Sequence, residues 1–380
     1  MAKLGEVCKV SPSTKNIERQ GAWLLNLDMV EQQTGRVIEY KYVGEDDLNG
    51  SIIQFDTENV LYSKLRPNLN KVVLPQKDGF STSELLPLRP DAGVLNRDYL
   101  AAFLRSDSFV TWAVSKTAGA KMPRLGTKDL MNAEIPVPNI EQQKTIAEKF
   151  KKLEQLISLR KQQLEKLDEL VKARFVEMFG DCKTNPKNWK TKALEKIANV
   201  GSSKRVFVEE LQDSGIPFYR GTEIGALAEK KAVKPELFIT EEHYKQLCEA
   251  TGKPQKGDLL MPSICPDGRI WIVDTDEPFY FKDGRVLWVH LTSANYNSVF
   301  LLYTLKDRIM TDYASIASGT TFAELKIFAL KKCKIFDVPL ELQNQFANFV
   351  ERVDQQKQTV QQSLEKLELM KKALMQECFG

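Results

Sequence analysis

The 380 residues are 42% hydrophobic and 28% charged, values typical of a globular chain long enough for two or three domains. No apolar run of about 18 residues occurs. The opening Met1-Ala2-Lys3-Leu4-Gly5-Glu6 lacks the apolar core of a signal peptide, so a cytoplasmic protein without membrane contact is expected. Six scattered cysteines form no C-x-x-C pair and read as reduced thiols. Net charge is only +3; residues 1–140 hold 17 basic and 17 acidic side chains, and 181–340 hold 23 and 21. Global charge therefore decides nothing about a nucleic-acid partner, and local clusters must.

In chain order, residues 1–138 read as a first globular domain. Apolar runs predict strands at Asn59–Tyr62 and Lys71–Leu74, and amphipathic spacing predicts a helix over Arg97–Ser115. Residues 139–180 follow a Val137-Pro138 stop and read as one long helix from Glu141 to Phe179, roughly 57 Å at helical rise. Residues 181–339 form a second mixed domain, with strands at Gly257–Leu260, Arg269–Val273 and Val286–Leu291 and a helix over Ala294–Tyr313. Trp271 and Trp288 fall in apolar runs and read as core; Phe279-Tyr280-Phe281 reads as a strand. Residues 340–380 carry a second long helix, Glu341–Phe379.

That order is a repeat at an offset of 200 residues. Leu164-Glu165-Lys166-Leu167 recurs as Leu364-Glu365-Lys366-Leu367, and nine of the 18 positions in 163–180 are identical to those in 363–380. Upstream, Gly119 matches Gly319, Leu125 matches Leu325, Leu130 matches Leu330, and Val137-Pro138 matches Val338-Pro339 after a one-residue slip.

Both helices carry an apolar 3.5-residue period, the seam of a coiled coil. The 4-3 walk on the first visits Ile146, Phe150, Leu153, Ile157, Leu164, Leu167 and Val171. On the second it visits Phe346, Val350, Val353, Val360, Leu364, Leu367 and Leu374. Lys, Glu and Gln dominate the other faces, so each narrow stripe needs an elongated partner. Each helix is the other's nearest candidate, and an antiparallel coiled coil would act as a spacer between the two domains. The fold expected is α+β, two tandem α/β domains separated by this helix pair.

Several segments resemble a known family. Ile135-Pro136-Val137-Pro138-Asn139-Ile140-Glu141-Gln142-Gln143 and the helix after it are similar to the proline-to-helix junction of type I restriction-modification specificity subunits. Met178-Phe179-Gly180-Asp181 with Asn185-Pro186-Lys187-Asn188-Trp189 resembles their link into a second target-recognition domain. Lys3-Leu4-Gly5-Glu6-Val7, Ser63–Leu69 and Gly257-Asp258-Leu259-Leu260 resemble further family segments; Phe336-Asp337-Val338-Pro339-Leu340-Glu341-Leu342-Gln343 departs from the junction pattern. The resemblance covers essentially the whole chain and rests on domain order more than on any short motif. It implies a non-catalytic subunit whose two domains each read one half of a bipartite double-stranded DNA target. It also implies docking of two modification methyltransferase subunits and, through them, restriction subunits. S-adenosylmethionine, ATP and Mg²⁺ would belong to those partners, with no cofactor, metal or catalytic residue in this chain.

DNA contact needs Lys and Arg for phosphates and Arg, Asn, Gln, Ser or Thr for base edges. Two stretches of the first domain, Ser63–Lys77 and Ser115–Lys128, contain no acidic residue. They supply Lys64, Arg66, Asn68, Lys71, Lys121 and Arg124 as candidates. In the second domain the candidates are Lys204, Arg205, Arg220, Arg269, Arg285, Thr320 and Thr321.

Other chemistries find less support. Thr251-Gly252-Lys253-Pro254 is not a phosphate-binding loop, and Asn185-Pro186-Lys187-Asn188 only half resembles an amino-methyltransferase motif. His243 and His290 are the only histidines, too few for an evident zinc site. Two alternatives remain. One is a stand-alone Mg²⁺ nuclease using Asp28, Glu39 and Lys41, a triplet that the second copy does not repeat. The other is a coiled-coil adaptor that binds protein rather than DNA.

Overall fold

The computed structural model describes every residue except 45–47, 49–50, 120 and 320–322. The chain forms two compact units, Met1–Gln163 with Val360–Gly380, and Leu164–Thr359. Each therefore holds one globular segment, the first part of the long helix that follows it, and the last part of the other long helix.

In the first unit, a four-stranded antiparallel sheet runs in the order Cys8–Val10, Leu85–Pro90, Val60–Ser63, Val72–Val73. A second sheet runs Lys41–Val43, Ala22–Leu25, Gly79–Thr82, Ile52–Phe55, with its middle pair parallel. Helices Arg97–Leu104 and Asp107–Ser115 cover the first sheet, sharing a core that includes Leu88, Leu100, Phe103 and Phe109. One helix was expected over this span. The chain breaks it at Ser106, whose hydroxyl accepts from Phe109 N at 3.3 Å and caps a new helix.

The second unit repeats this plan. Ala198–Gly201, Val286–Leu291, Leu259–Pro262 and Trp271–Ile272 form the four-stranded sheet. Phe238–Ile239, Ile216–Tyr219 and Tyr280–Phe281 form the other, again with one parallel pair. Helix Ser298–Ile316 is continuous where the first unit has two. Helices Gly221–Ala228 and Glu241–Thr251 are additions of the second unit among the described residues. Each unit ends its globular part alike. A hairpin (Thr117–Ala118 with Arg124–Leu125; Ala317–Ser318 with Glu324–Leu325) precedes a strand that pairs with the unit's opening strand. Trp271 is core as read, whereas Trp288 is half-buried and donates Nε1–H to Asp258 at 2.8 Å.

The long helices span Ile140–Phe179 and Leu340–Phe379 and pack antiparallel in both units. In the first, Lys371 pairs with Glu154 at 2.9 Å and Arg160 Nε donates to Ser363 at 3.3 Å. In the second, Lys357 meets Asp168 and the Phe175 and Phe346 rings lie 5.4 Å apart. Numbers rise on one helix as they fall on its partner. All fourteen residues of the apolar walks are buried or half-buried. At the helix ends the stripe widens to meet the globular core, adding Phe175, Phe179, Met375 and Phe379. Phe379 packs on Tyr99, Phe103 and Phe150, while Phe179 packs on Phe300 and Phe346. Truncating such a buried ring costs about 3–5 kcal/mol, far more than any exposed ion pair along the seam.

A matched polar latch joins each helix start to its own globular part. Gln143 is fully buried; its Oε1 accepts from Asn96 N at 2.8 Å, and its Nε2 donates to Val94 O at 2.9 Å and Pro138 O at 2.8 Å. Gln343 repeats this, accepting from Asn297 N at 2.9 Å and donating to Asn295 O at 3.1 Å and Val338 O at 2.9 Å. The departure of the second junction from the family pattern leaves this contact intact.

Candidate nucleic-acid interface

In the first unit the backbone gathers two separate basic stretches. Arg66 N donates to Pro123 O at 2.8 Å and Leu125 N to Lys64 O at 2.9 Å, which fastens the 63–70 turn against the 117–125 hairpin. Arg66, Asn68 and Lys121 are exposed there, and Lys64 is half-buried. None of these three cations is in an ion pair among the described residues. Arg66 sits at φ 50°, ψ 65°, a left-handed conformation that costs a side-chain-bearing residue about 1–2 kcal/mol. Strain of this kind persists only where surrounding contacts enforce it, and it marks functional turns.

Two candidates of this unit are otherwise engaged. Lys71 turns inward, donating Nζ–H to Leu27 O, and burial lowers its pKa against the opposing pull of Asp28. Arg124 pairs with Glu84 at 3.1 Å. Both partners are partly exposed, so the pair is worth about 0–1 kcal/mol and a phosphate could displace it.

In the second unit Lys204 and Arg205 are exposed just past the Ala198–Gly201 strand, with Arg205 lying 5.6 Å from the Phe207 ring. Ser203 Oγ donates to Phe281 O at 2.6 Å, and the hydroxyl of the neighbouring Tyr280 bonds Thr251 Oγ1 at 2.6 Å. That link places the 202–205 turn beside the 251–255 turn. The other arginines are paired: Arg220 with Glu223 and Glu236, Arg269 with Asp267, and Arg285 with Glu324. Hydrogen bonds to its two glutamates raise the Arg220 pKa, fixing its charge in a structural role. Thr320 and Thr321 lie outside the described residues. Arg285 and Glu324 occupy the places of Glu84 and Arg124, since each pair joins the residue before the six-residue strand to the hairpin. The same bridge is thus built with its charges exchanged.

Asp28 acts electrostatically on Lys71, and no group of three or more His, Cys, Asp or Glu able to hold a metal occurs among the described residues. No described helix is long and apolar enough to cross a membrane.

A family model for the type I restriction modification DNA specificity domain matches twice, over residues 1–169 and 186–369. The chain is similar to the type I restriction enzyme MjaIX specificity subunit of Methanocaldococcus jannaschii, 24% identical over 380 residues, covering 92% of this chain and 84% of that one. It is also similar to the MjaVIII specificity subunit of the same organism, at 24% over 332 residues, covering 81% and 75%. A match to the EcoDI specificity subunit of Escherichia coli is 26% identical but spans only 33% of this chain and 27% of that one. Among solved structures, the S subunit of a type I restriction-modification system from M. genitalium shares the fold with a TM-score of 0.57 at 16% identity, covering all of this chain and 95% of that one. A chain from a type I R-M system solved for its complex assembly and conformational transition gives 0.61 at 17% identity, covering 100% and 96%.

Proposed function

Because the chain belongs to the type I restriction-modification DNA specificity family, we propose that its two target-recognition domains each read one half of a split double-stranded DNA site. The paired helices set the gap between halves and dock two modification methyltransferase subunits, which in turn hold the restriction subunits. The chain itself carries out no chemistry; S-adenosylmethionine, ATP and Mg²⁺ act in the partners. One observation carries this reading: the same domain is built twice, and each copy presents exposed cations, without ion pairs among the described residues, on turns held by backbone hydrogen bonds in the first unit and by the Ser202 and Ser203 hydroxyls in the second. Such cations neutralise phosphates and set register, while side chains that differ between the copies read different bases. The matched sheets and hairpins supply the scaffold; Arg66 and Lys121 in one domain, and Lys204 and Arg205 in the other, supply the charge.

Sequencing genomic methylation in cells with and without this chain tests the reading. A bipartite adenine-methylated motif that disappears with the chain supports it; an unchanged pattern refutes it. The adaptor alternative separates on charge reversal. Replacing Arg66 and Lys121 by Glu abolishes methylation if the domain reads DNA, and leaves function intact if it binds protein.

A further inference from the structure

The second unit contains a cleft of about 410 Å³ that the recognition surfaces described so far do not use. It lies on the face of the four-stranded sheet that carries Asn199, Trp288 and His290, under the turn bearing Lys253 and Gln255. Its floor is anchored by Asp258, which is 3% exposed. One oxygen of that carboxylate accepts from Trp288 Nε1 at 2.8 Å and Gln255 N at 2.9 Å; the other meets His290 Nδ1 at 2.7 Å. A carboxylate can only accept, so Nδ1 carries a proton; Nε2 is the free atom of the ring and donates to an oxyanion when the imidazole is doubly protonated. No described residue bonds Nε2, and the imidazole is 32% exposed.

The lining holds Lys253, exposed and without an ion-pair partner among the described residues, and no carboxylate. Amide side chains of Asn199 and Gln255 complete it. A lysine, an imidazole backed by a buried carboxylate, and neutral donors form a set suited to an oxyanion. The first unit shows what the same place looks like when filled. There the fifth residue of the matching strand is Arg89, bonded to buried Asp56 at 2.6 Å and to Glu58. Arg89 is satisfied by protein groups, whereas His290 keeps one nitrogen for something else.

We infer that this cleft is a phosphate-oxyanion site, in which Lys253 and the Nε2–H of the imidazolium form of His290 donate to the oxygens and Asp258 fixes the ring behind them. It deepens the recognition reading above, on which its assignment to a DNA backbone phosphodiester rests, because the 251–255 turn adjoins the 202–205 turn that carries Lys204 and Arg205. A free phosphate or phosphomonoester offers the same chemistry.

The chain's two histidines make the test direct. In the full chain labelled at histidine, with His243→Gln used to assign the signals, inorganic phosphate or a short duplex at low salt is added while imidazole resonances are followed. Backbone contacts are independent of sequence, so any duplex serves. A saturable shift of His290 alone, weakened about ten-fold or more in Lys253→Ala, supports the site. A shift with duplex but not with phosphate assigns it to the DNA backbone, and the reverse assigns it to a free phosphate. If duplex binds, as seen by fluorescence anisotropy, yet His290 stays still, the site is refuted and the recognition reading stands. If His290 responds to phosphate while no duplex binds, the site stands and that reading fails. Equal movement of both histidines, or none with either probe, overturns the inference. Lys253 is exposed, so its variant is not at risk of misfolding.

Discussion

Single residues set both the firmness of the scaffold and the reach of the interface. Gln143 makes three hydrogen bonds while fully buried, so Gln143→Met strands Asn96 N, Val94 O and Pro138 O. Each stranded group costs about 1–3 kcal/mol, and a clear fall in thermal midpoint is expected by calorimetry. Arg66 behaves differently. Arg66→Gly relieves a left-handed backbone but adds unfolded-state entropy, leaving stability within about 1 kcal/mol of the parent. The same change should reduce the slope of log affinity against log salt by about one, measured by anisotropy. Glu223 supplies a pH signature. Burial works against its charged form, but Arg220 and Thr222 outweigh that and lower its pKa from 4.5 to about 2. A lowered folded pKa gives stability that is complete above the unfolded value and lost as pH falls toward the folded one. Urea midpoints should therefore drop between about pH 5 and about pH 2, and Glu223→Gln should flatten that drop.

At the scale of elements, the long helices were the most legible part. Their period is strict, and every walk position is at least half-buried. What the period could not reveal is where the seam ends, because Phe175, Phe179, Met375 and Phe379 leave the 3.5 rhythm to fill pockets in the globular cores. A helix pattern records the partner helix and not the domain beneath it. The 97–115 helix was misread as continuous because apolar spacing persists through the break, while the signal that ends it is one serine hydroxyl. Candidate cations were legible as types but not as free groups. Lys71, Arg124, Arg220, Arg269 and Arg285 each find a protein partner that lies far along the chain or across a turn. Lys253 and His290 were missed because the bond of His290 to Asp258, and the cleft that Lys253 lines, exist only once three separate segments meet.

On the scale of the whole molecule, the duplication legible in the sequence returns as two units with matched sheets, hairpins and glutamine latches. Each unit borrows a helix end from the other half of the sequence. Deleting residues 360–380 should therefore loosen the first unit, which loses Phe379 from among Tyr99, Phe103 and Phe150. Hydrogen exchange of the truncated chain should show lost protection around residues 95–115 and retained protection in 181–339; uniform loss across both would contradict it.

The same borrowing has a temporal side. The second unit is one uninterrupted stretch, Leu164–Thr359, whereas the first waits for Val360–Gly380. During synthesis, the unit of the two that begins first is thus completed second, and its aromatic slot stays open until the whole of the other unit has left the ribosome. A chaperone that shields apolar surface on nascent chains would find the longer-lived substrate in the first of these two units.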